Sequence, residues 1–274
     1  MTRVSFRQLA ATLLLLPSLA AAENPTLRVC YESDYFPPYF NGKDEVPKSS
    51  PGLVIEHLLL PAAHSAGFEV ALYRRPWNRC MHDMQNNLTD AILPAAWTPE
   101  RESWGRFPGP ERDRAGGVDP RYADWAVNYQ IIVAHDSRLT WDGQRFGHLQ
   151  QGVGAPLGHL SSQRLQQLGA LRSGNLRPET ALNMIVRQRL DGYVLEALIA
   201  RAFINKAGLQ EQLTVLPTPL FQTDWYVPVT HTFYAAHGQQ VWRFWEQLVR
   251  QRQLLEASLR RQLEAEAAQA APLP

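Results

Sequence analysis

Asp90-Ala91-Ile92-Leu93-Pro94-Ala95-Ala96-Trp97-Thr98-Pro99-Glu100-Arg101 is the stretch whose reading decides the fold. Ala91 to Leu93 is an apolar run too short for a helix, so it reads as a buried strand whose hydrogen-bond ladder halts at Pro94. A helix start follows: Thr98 suits the N-cap, Pro99 the first helical position, and Glu100 the positive end of the helix. Arg101 therefore belongs to a first helical turn just beyond the carboxyl end of a strand, where open α/β sheets place their ligands. A guanidinium there offers a planar, permanently charged fork to an anion. A lone Arg in this position can equally pair with Glu100 or Asp90 at the surface. Its company elsewhere in the chain decides between the two.

The 274 residues are 45% hydrophobic and 19% charged, which fits a globular protein of one large or two medium domains. Arg3 and Arg7 precede the apolar Leu9 to Leu16, and Ala20-Ala21-Ala22 offers a small-residue cleavage site, so residues 1–22 read as a secretory signal peptide. No later segment approaches the roughly 20 apolar residues of a spanning helix. Export to the periplasm as a soluble chain is the expectation. Losing Arg3 and Arg7 takes the formal net charge from +1 to −1. A near-neutral chain lacks the basic balance of a nucleic-acid binder. Cys30 and Cys80 are the only cysteines, and in an oxidising compartment they are most simply one structural disulfide. Closing that loop stabilises by about 4 kcal/mol at most on a chain-entropy argument.

Outward from the opening stretch, an α/β rhythm emerges. Leu27 to Tyr31 alternates as a first strand, Gly52 to Leu60 opens a helix with a broad apolar face, and Phe68 to Leu72 alternates as a second strand. Between them Glu32-Ser33-Asp34-Tyr35-Phe36-Pro37-Pro38-Tyr39-Phe40 is a proline-stiffened aromatic loop, either a ligand wall or a cap on the core. A helix from about Arg75 to Asn87 places Trp77 just after a strand end, for core packing or for ligand. Residues 102–128 read as loops leading to a crossover, with a strand at Tyr129 to Ala134 and a short helix near Phe146 to Gln150. Gly152-Val153-Gly154-Ala155-Pro156-Leu157-Gly158 lacks the spacing of a dinucleotide fingerprint and reads as a strand running into a helix from His159 to Leu168.

Helix, aspartate, short strand and polar residue then recur: Glu179 to Arg189, Asp191, Tyr193 to Leu195, Glu196. The duplicate suggests two similar lobes facing each other, with Glu196 at a strand end between them or as a surface carboxylate. Leu213 to Leu216 and Trp225 to Val229 are further strands. An amphipathic helix from Gln239 carries Val241, Phe244, Trp245, Leu248 and Leu255 on one face. The His residues show no metal-ligand spacing, no nucleophile elbow or phosphate loop occurs, and no metal or cofactor is expected. What remains is a cation at Arg101, an anion at Glu196, aromatics at Tyr35 and Trp77, and a helix start at Gly158-His159. That set suits a zwitterion, with the carboxylate on Arg101 and the ammonium on Glu196.

From Leu27 to about Arg252 the chain resembles the periplasmic solute-binding proteins of the polar amino-acid class (family 3 type), the receptors of ABC importers. The resemblance is carried by Asp34-Tyr35-Phe36-Pro37-Pro38-Tyr39-Phe40, the Pro51-Gly52-Leu53-Val54-Ile55-Glu56 helix start, and Asp90-Ala91-Ile92 leading to Thr98-Pro99-Glu100-Arg101. Val153-Gly154 with Gly158, and Arg189-Leu190-Asp191-Gly192-Tyr193 before Glu196, complete it. It implies two α/β lobes joined by crossing strands that close on a ligand. Lobe I would take residues 23–127 and 225–258, lobe II residues 128–224, and residues 259–274 a solvated or frayed tail. By position Arg101 would bind a carboxylate, Glu196 an amino group and Tyr35 an aromatic wall, with Trp77, Trp97, Gly158 and His159 completing the ligand-binding set. Pro94-Ala95-Ala96 and His159-Leu160 stand where the family has hydroxyl residues, so a different small carboxylate or amine is as open as an ordinary α-amino acid. The expected partners are a small solute and, transiently, a membrane ABC permease, with the chain a monomer. A dehydratase on the same scaffold, with Glu196 as general acid, and a sensory subunit for a membrane partner are the alternatives.

Overall fold

A computed structural model describes residues 24–42, 44–109 and 118–269. The expected signal peptide and the end of the tail lie outside these residues. Strand β1 (Thr26–Glu32) points Leu27, Val29 and Tyr31 into the core, each fully buried. A π-helical turn at Ile55–Leu59 runs into α1 (Leu60–Ser65), and their buried face, Ile55, Leu58, Leu59, Ala62 and Ala63, packs within the core that holds β1. Strands β2 (Glu69–Arg75) and β3 (Ala91–Leu93) flank β1 in parallel, with α2 (Trp77–Gln85) as the crossover between them. Asp90 does not reach for Arg101. Its carboxylate takes the backbone N–H of Arg28 at 2.9 Å and grips the Arg28 guanidinium, with Nε at 2.8 Å and the terminal nitrogen at 2.7 Å.

The chain changes sheets inside the opening stretch. Leu93 ends β3 in the first sheet, a cis bond precedes Pro94, and β4 (Ala95–Ala96) already belongs to the second. After α3 (Pro99–Glu102), β5 (Gly105–Arg106) rejoins the first sheet. A single 3-10 turn at Pro120–Tyr122 leads to β6 (Trp125–Ala134), the central strand of the second sheet. That strand begins ahead of the expected Tyr129. Thr140–Trp141 and Phe146–Gly147 form a small hairpin, β7 and β8, where the short helix near Phe146 was expected. The correction has a local cause: Asp142 accepts the N–H groups of Gln144 and Arg145, each at 2.7 Å, and so closes a turn rather than starting a helix.

Strand β9 (Val153–Gly154), α4 (Leu160–Gln167), α5 (Pro178–Val186), β10 (Gly192–Glu196), α6 (Ala197–Lys206) and β11 (Leu213–Val215) complete the second lobe's own elements. Strand β12 (Phe221–Tyr226) pairs with β6 and β4, whereas β13 (Val229–Thr230) pairs with β3 and β5. The orders are β2-β1-β3-β13-β5 and β4-β12-β6-β10-β9, with β11 also on β6. Four connections, at Pro94, through α3, between β5 and β6, and at Val227-Pro228, thus pass between the two sheets. Helix α7 (His231–Gln269) leaves helical geometry only at His237. Residues 259–269 lie within that helix, exposed wherever their side chains are described. Among the described residues no helix is long and apolar enough to cross a membrane.

Cys30 and Cys80 are bridged, with Cα atoms 5.5 Å apart, tying β1 to α2. A second apolar cluster forms around that bridge from Trp77, Met84, Ile92, Phe107 and Tyr226. Burying each such large side chain contributes roughly 1.5–3 kcal/mol. The bridge and its cluster hold the end of β1 against the start of α2, and both ends face the same cleft.

Candidate functional site

The space between the lobes is a narrow cleft lined from both sides. Arg101 enters from one side. Thr98 caps α3 by accepting the N–H of Arg101 at 3.1 Å, so the first turn is fixed and the side chain is aimed inward. Arg101 is 5% exposed, and its guanidinium donates to the carbonyl of Ala96 at 2.9 Å and lies 5.5 Å above the ring of Trp77. Among the described residues no carboxylate pairs with it. Burial lowers its pKa from the usual guanidinium value, yet Arg in a protein stays charged. A buried cation with unused donors and no counter-ion has the chemistry to take an anion.

Glu196 enters from the other side, at the end of β10. One carboxylate oxygen caps α6, accepting the N–H groups of Leu198 at 2.9 Å and Ile199 at 3.2 Å. Burial pushes its carboxyl up to about 7, and those two N–H groups oppose the rise. Near neutrality it is poised between the acid and the anion, and a bound ammonium would favour the anion. Tyr129 and Trp225 close the wall beside it, with the indole N–H donating to the Tyr129 hydroxyl at 3.2 Å. Burial raises the Tyr129 hydroxyl to about 12, so it remains neutral.

Of the residues singled out from sequence, the cleft gathers Arg101, Glu196, Trp77 and His159. Tyr35 lies outside, 40% exposed, with the Lys206 ammonium 4.5 Å from its ring centre. The aromatic wall falls instead to Phe36 and Phe40, because the loop doubles back with the N–H of Phe40 on the carbonyl of Phe36 at 3.0 Å. Trp97 turns away into the disulfide cluster, its indole N–H donating to Glu102 at 3.0 Å. Gly158 serves through its backbone. It holds φ +78°, and a Cβ there would stand 1.8 Å from Oδ1 of Asn78 on α2.

Glu32 was missed by sequence reasoning. It ends β1, is 4% exposed, lines the cleft, and holds the N–H of Asp34 at 3.0 Å on one oxygen and Nε2 of His159 at 3.3 Å on the other. Its signal was available, since an acid at the carboxyl end of the first parallel strand stands where α/β sheets bind ligands. Pro94, Ala96, Pro156, Leu160, Val194, Leu195 and Ile199 supply the apolar remainder. The described residues contain no group of His, Cys, Asp or Glu that could hold a metal ion.

This arrangement is the two-lobed fold of the periplasmic binding proteins. No family model matches the chain, and no curated protein sequence matches it. Solved structures do. A histidine kinase sensor domain similar to periplasmic binding proteins matches with a TM-score of 0.67 at 16% identity, over 88% of this chain and 96% of that one. An amino-acid ABC transporter substrate-binding protein, AbpA from Streptococcus pneumoniae bound to L-arginine, matches at 0.60 and 17%, over 91% and 97%. The ancestral amino-acid-binding protein AncCDT-1, a precursor of cyclohexadienyl dehydratase, matches at 0.61 and 18%, over 87% and 94%.

Proposed function

We propose that this chain is an exported solute-binding protein that captures a small polar solute by lobe closure and delivers it to an ABC importer. The solute carries a carboxylate for Arg101 and an ammonium for Glu196. The observation that carries the reading is the buried Arg101 guanidinium without a carboxylate partner among the described residues, lining the same interlobe cleft as a buried acid. Trp77, Phe36, Phe40 and Trp225 cover the solute's apolar body. The amino-acid ABC transporter substrate-binding protein among the structural neighbours supports the solute class and the importer. Lobe I spans residues 23–127 and 225–258 and lobe II residues 128–224, with the crossing strands as the hinge.

The test is thermal stabilisation of the mature protein against amino acids, polyamines and small carboxylates, since binding to the folded state alone raises the melting temperature by mass action. A hit lost in both Arg101→Ala and Glu196→Gln supports the reading. Silence across the panel from a folded protein rejects it.

A second reading has its own observation. The Glu196 carboxyl at about 7 suits a general acid at neutral pH, and one neighbour is a dehydratase precursor. Turnover of prephenate or arogenate by the purified protein, lost in Glu196→Gln, would establish it, and absence of turnover removes it. The sensor-domain neighbour favours a membrane sensor as an alternative partner, to be checked by ligand-dependent association.

A further inference from the structure

We infer that the Tyr129 hydroxyl, oriented by the Trp225 indole, is a second donor to the solute's carboxylate beside Arg101, and that it makes the site choose an acid over the corresponding amide. The inference rests on the solute-capture reading and deepens it. Tyr129 lies on β6, paired with Glu196 of β10 on one side and with Phe221 of β12 on the other. Its ring stacks on Phe221 with centroids 4.5 Å apart, which holds the phenol in place. Further along the same sheet, Ala96 of β4 pairs with Trp225 of β12. The carbonyl of Ala96 anchors the Arg101 guanidinium at 2.9 Å, and the indole of Trp225 anchors the Tyr129 hydroxyl at 3.2 Å. Both donors are thus held from one rung of the sheet, and each lies close enough to act on the other's ionisation.

An indole N–H can only donate, so the Tyr129 oxygen accepts from Trp225 and its own proton points elsewhere. Among the described residues nothing takes that proton. Glu196 stands directly opposite, but it spends one oxygen on the N–H groups of Leu198 and Ile199 and takes no hydrogen bond from Tyr129. A buried hydroxyl with an unspent proton, lining the same cleft as Arg101, needs an acceptor. A carboxylate supplies two, one oxygen for the guanidinium and the other for the phenol. A carboxamide supplies one oxygen and an amino group that would face a donor, because Arg101 has no lone pair to offer and the indole occupies the accepting side of Tyr129. A site that commits a buried donor to its ligand rejects the analogue that cannot receive it.

Titration calorimetry of the mature protein measures affinity for amino acids and small carboxylates, each beside its carboxamide, in the wild type, Tyr129→Phe, Trp225→Phe and the double variant. The expected result is an acid affinity about 10–100-fold lower in Tyr129→Phe, the size of a hydrogen bond to a charged group, with the amide affinity little changed, so that the acid-to-amide ratio collapses. Trp225→Phe keeps an apolar ring on the wall but frees the hydroxyl to turn its lone pair to the amide, which lowers the same ratio. Adding it to Tyr129→Phe lowers the ratio no further, because Trp225 acts through Tyr129. An unchanged ratio in Tyr129→Phe overturns the inference, as does an equal loss for acid and amide, which a merely structural role would give. Should Tyr129→Phe fail to fold, Trp225→Phe decides by the same ratio. Acid binding that needs Arg101 but not Tyr129 rejects this inference alone, whereas no binding of any carboxylate by the folded wild type rejects the capture reading and this inference with it.

Discussion

Arg101 brings a permanent charge into a pocket where no described residue neutralises it, and this has opposite consequences for stability and for binding. Desolvating a guanidinium without a counter-ion is unfavourable, and one hydrogen bond to Ala96 offsets only part of it. Arg101→Met, of similar length, is expected to raise the melting temperature of the ligand-free protein by about 2–4 °C, on the order of 1 kcal/mol. It is also expected to abolish stabilisation by any carboxylate solute. Differential scanning calorimetry with and without solute checks both halves, and a destabilised variant would show that the site costs nothing to maintain. Glu196 gives a pH dependence. Its carboxyl rises from 4.5 in the unfolded chain to about 7 in the folded one, so the folded state holds its proton more tightly. The stability this lends is fully present below about 4.5 and is lost as the pH climbs through about 7, a swing of roughly 3 kcal/mol at most. Glu196→Gln removes that slope, so its melting temperature should gain on the wild type from about pH 5 to about pH 7.5 and then run parallel. A constant offset across that range would contradict the shift and its cause.

At the scale of elements, the opening stretch was legible because its signals are local. Ala91 to Leu93 is a strand, Thr98 caps the next helix through its own hydroxyl, and Arg101 faces a cleft as its position required. Ala95-Ala96 was not legible, since a two-residue strand has no periodicity, and only its partner β12 reveals that it belongs to the other sheet. The aromatic loop failed for a related reason. Composition showed that rings would gather there, but the turn that faces Phe36 and Phe40 inward and Tyr35 outward depends on contacts with β10, α6 and the second lobe. The disulfide could be proposed from compartment and count, and its use follows from the elements it joins. By tying β1 to α2 it fixes Glu32 relative to Trp77, two walls of the cleft. Replacing Cys30 and Cys80 by Ser is expected to cost about 2–4 kcal/mol, read as a lower denaturant midpoint at unchanged slope. Retained stability would show that the surrounding cluster of Trp77, Met84 and Ile92 suffices without the bond.

For the whole molecule, the duplicated helix, aspartate and strand pattern announced two lobes, and the structure gives the two aspartates one task. Asp90 holds the backbone N–H of Arg28 within β1, and Asp191 holds those of Gln150, Gln151 and Gly152 just before β9. What the sequence did not disclose is that α7 spans both lobes. Its first part packs on α1 and β13, Trp242 meets Tyr122, Arg252 reaches the carbonyls of Ala123 and Arg121, and Arg260 lies 5.0 Å over Trp125. The helix also packs on α6 of the second lobe. Its end reads as charged and Ala-rich, which is equally the composition of a solvated helix, and periodicity cannot say which surface a charged helix lies along. A helix that bridges a hinge resists opening unless it slides on one of its partners, and α6 is its partner in the second lobe. Truncation after Arg252 should therefore leave the first lobe folded and uncover α6. The expected outcome is faster amide hydrogen exchange across Ala197–Lys206, little change in Thr26–Glu32, and a larger ligand-free radius of gyration. Unchanged exchange in α6 would mean that the far part of α7 rests on the second lobe without holding it, leaving the crossing strands to set the hinge alone.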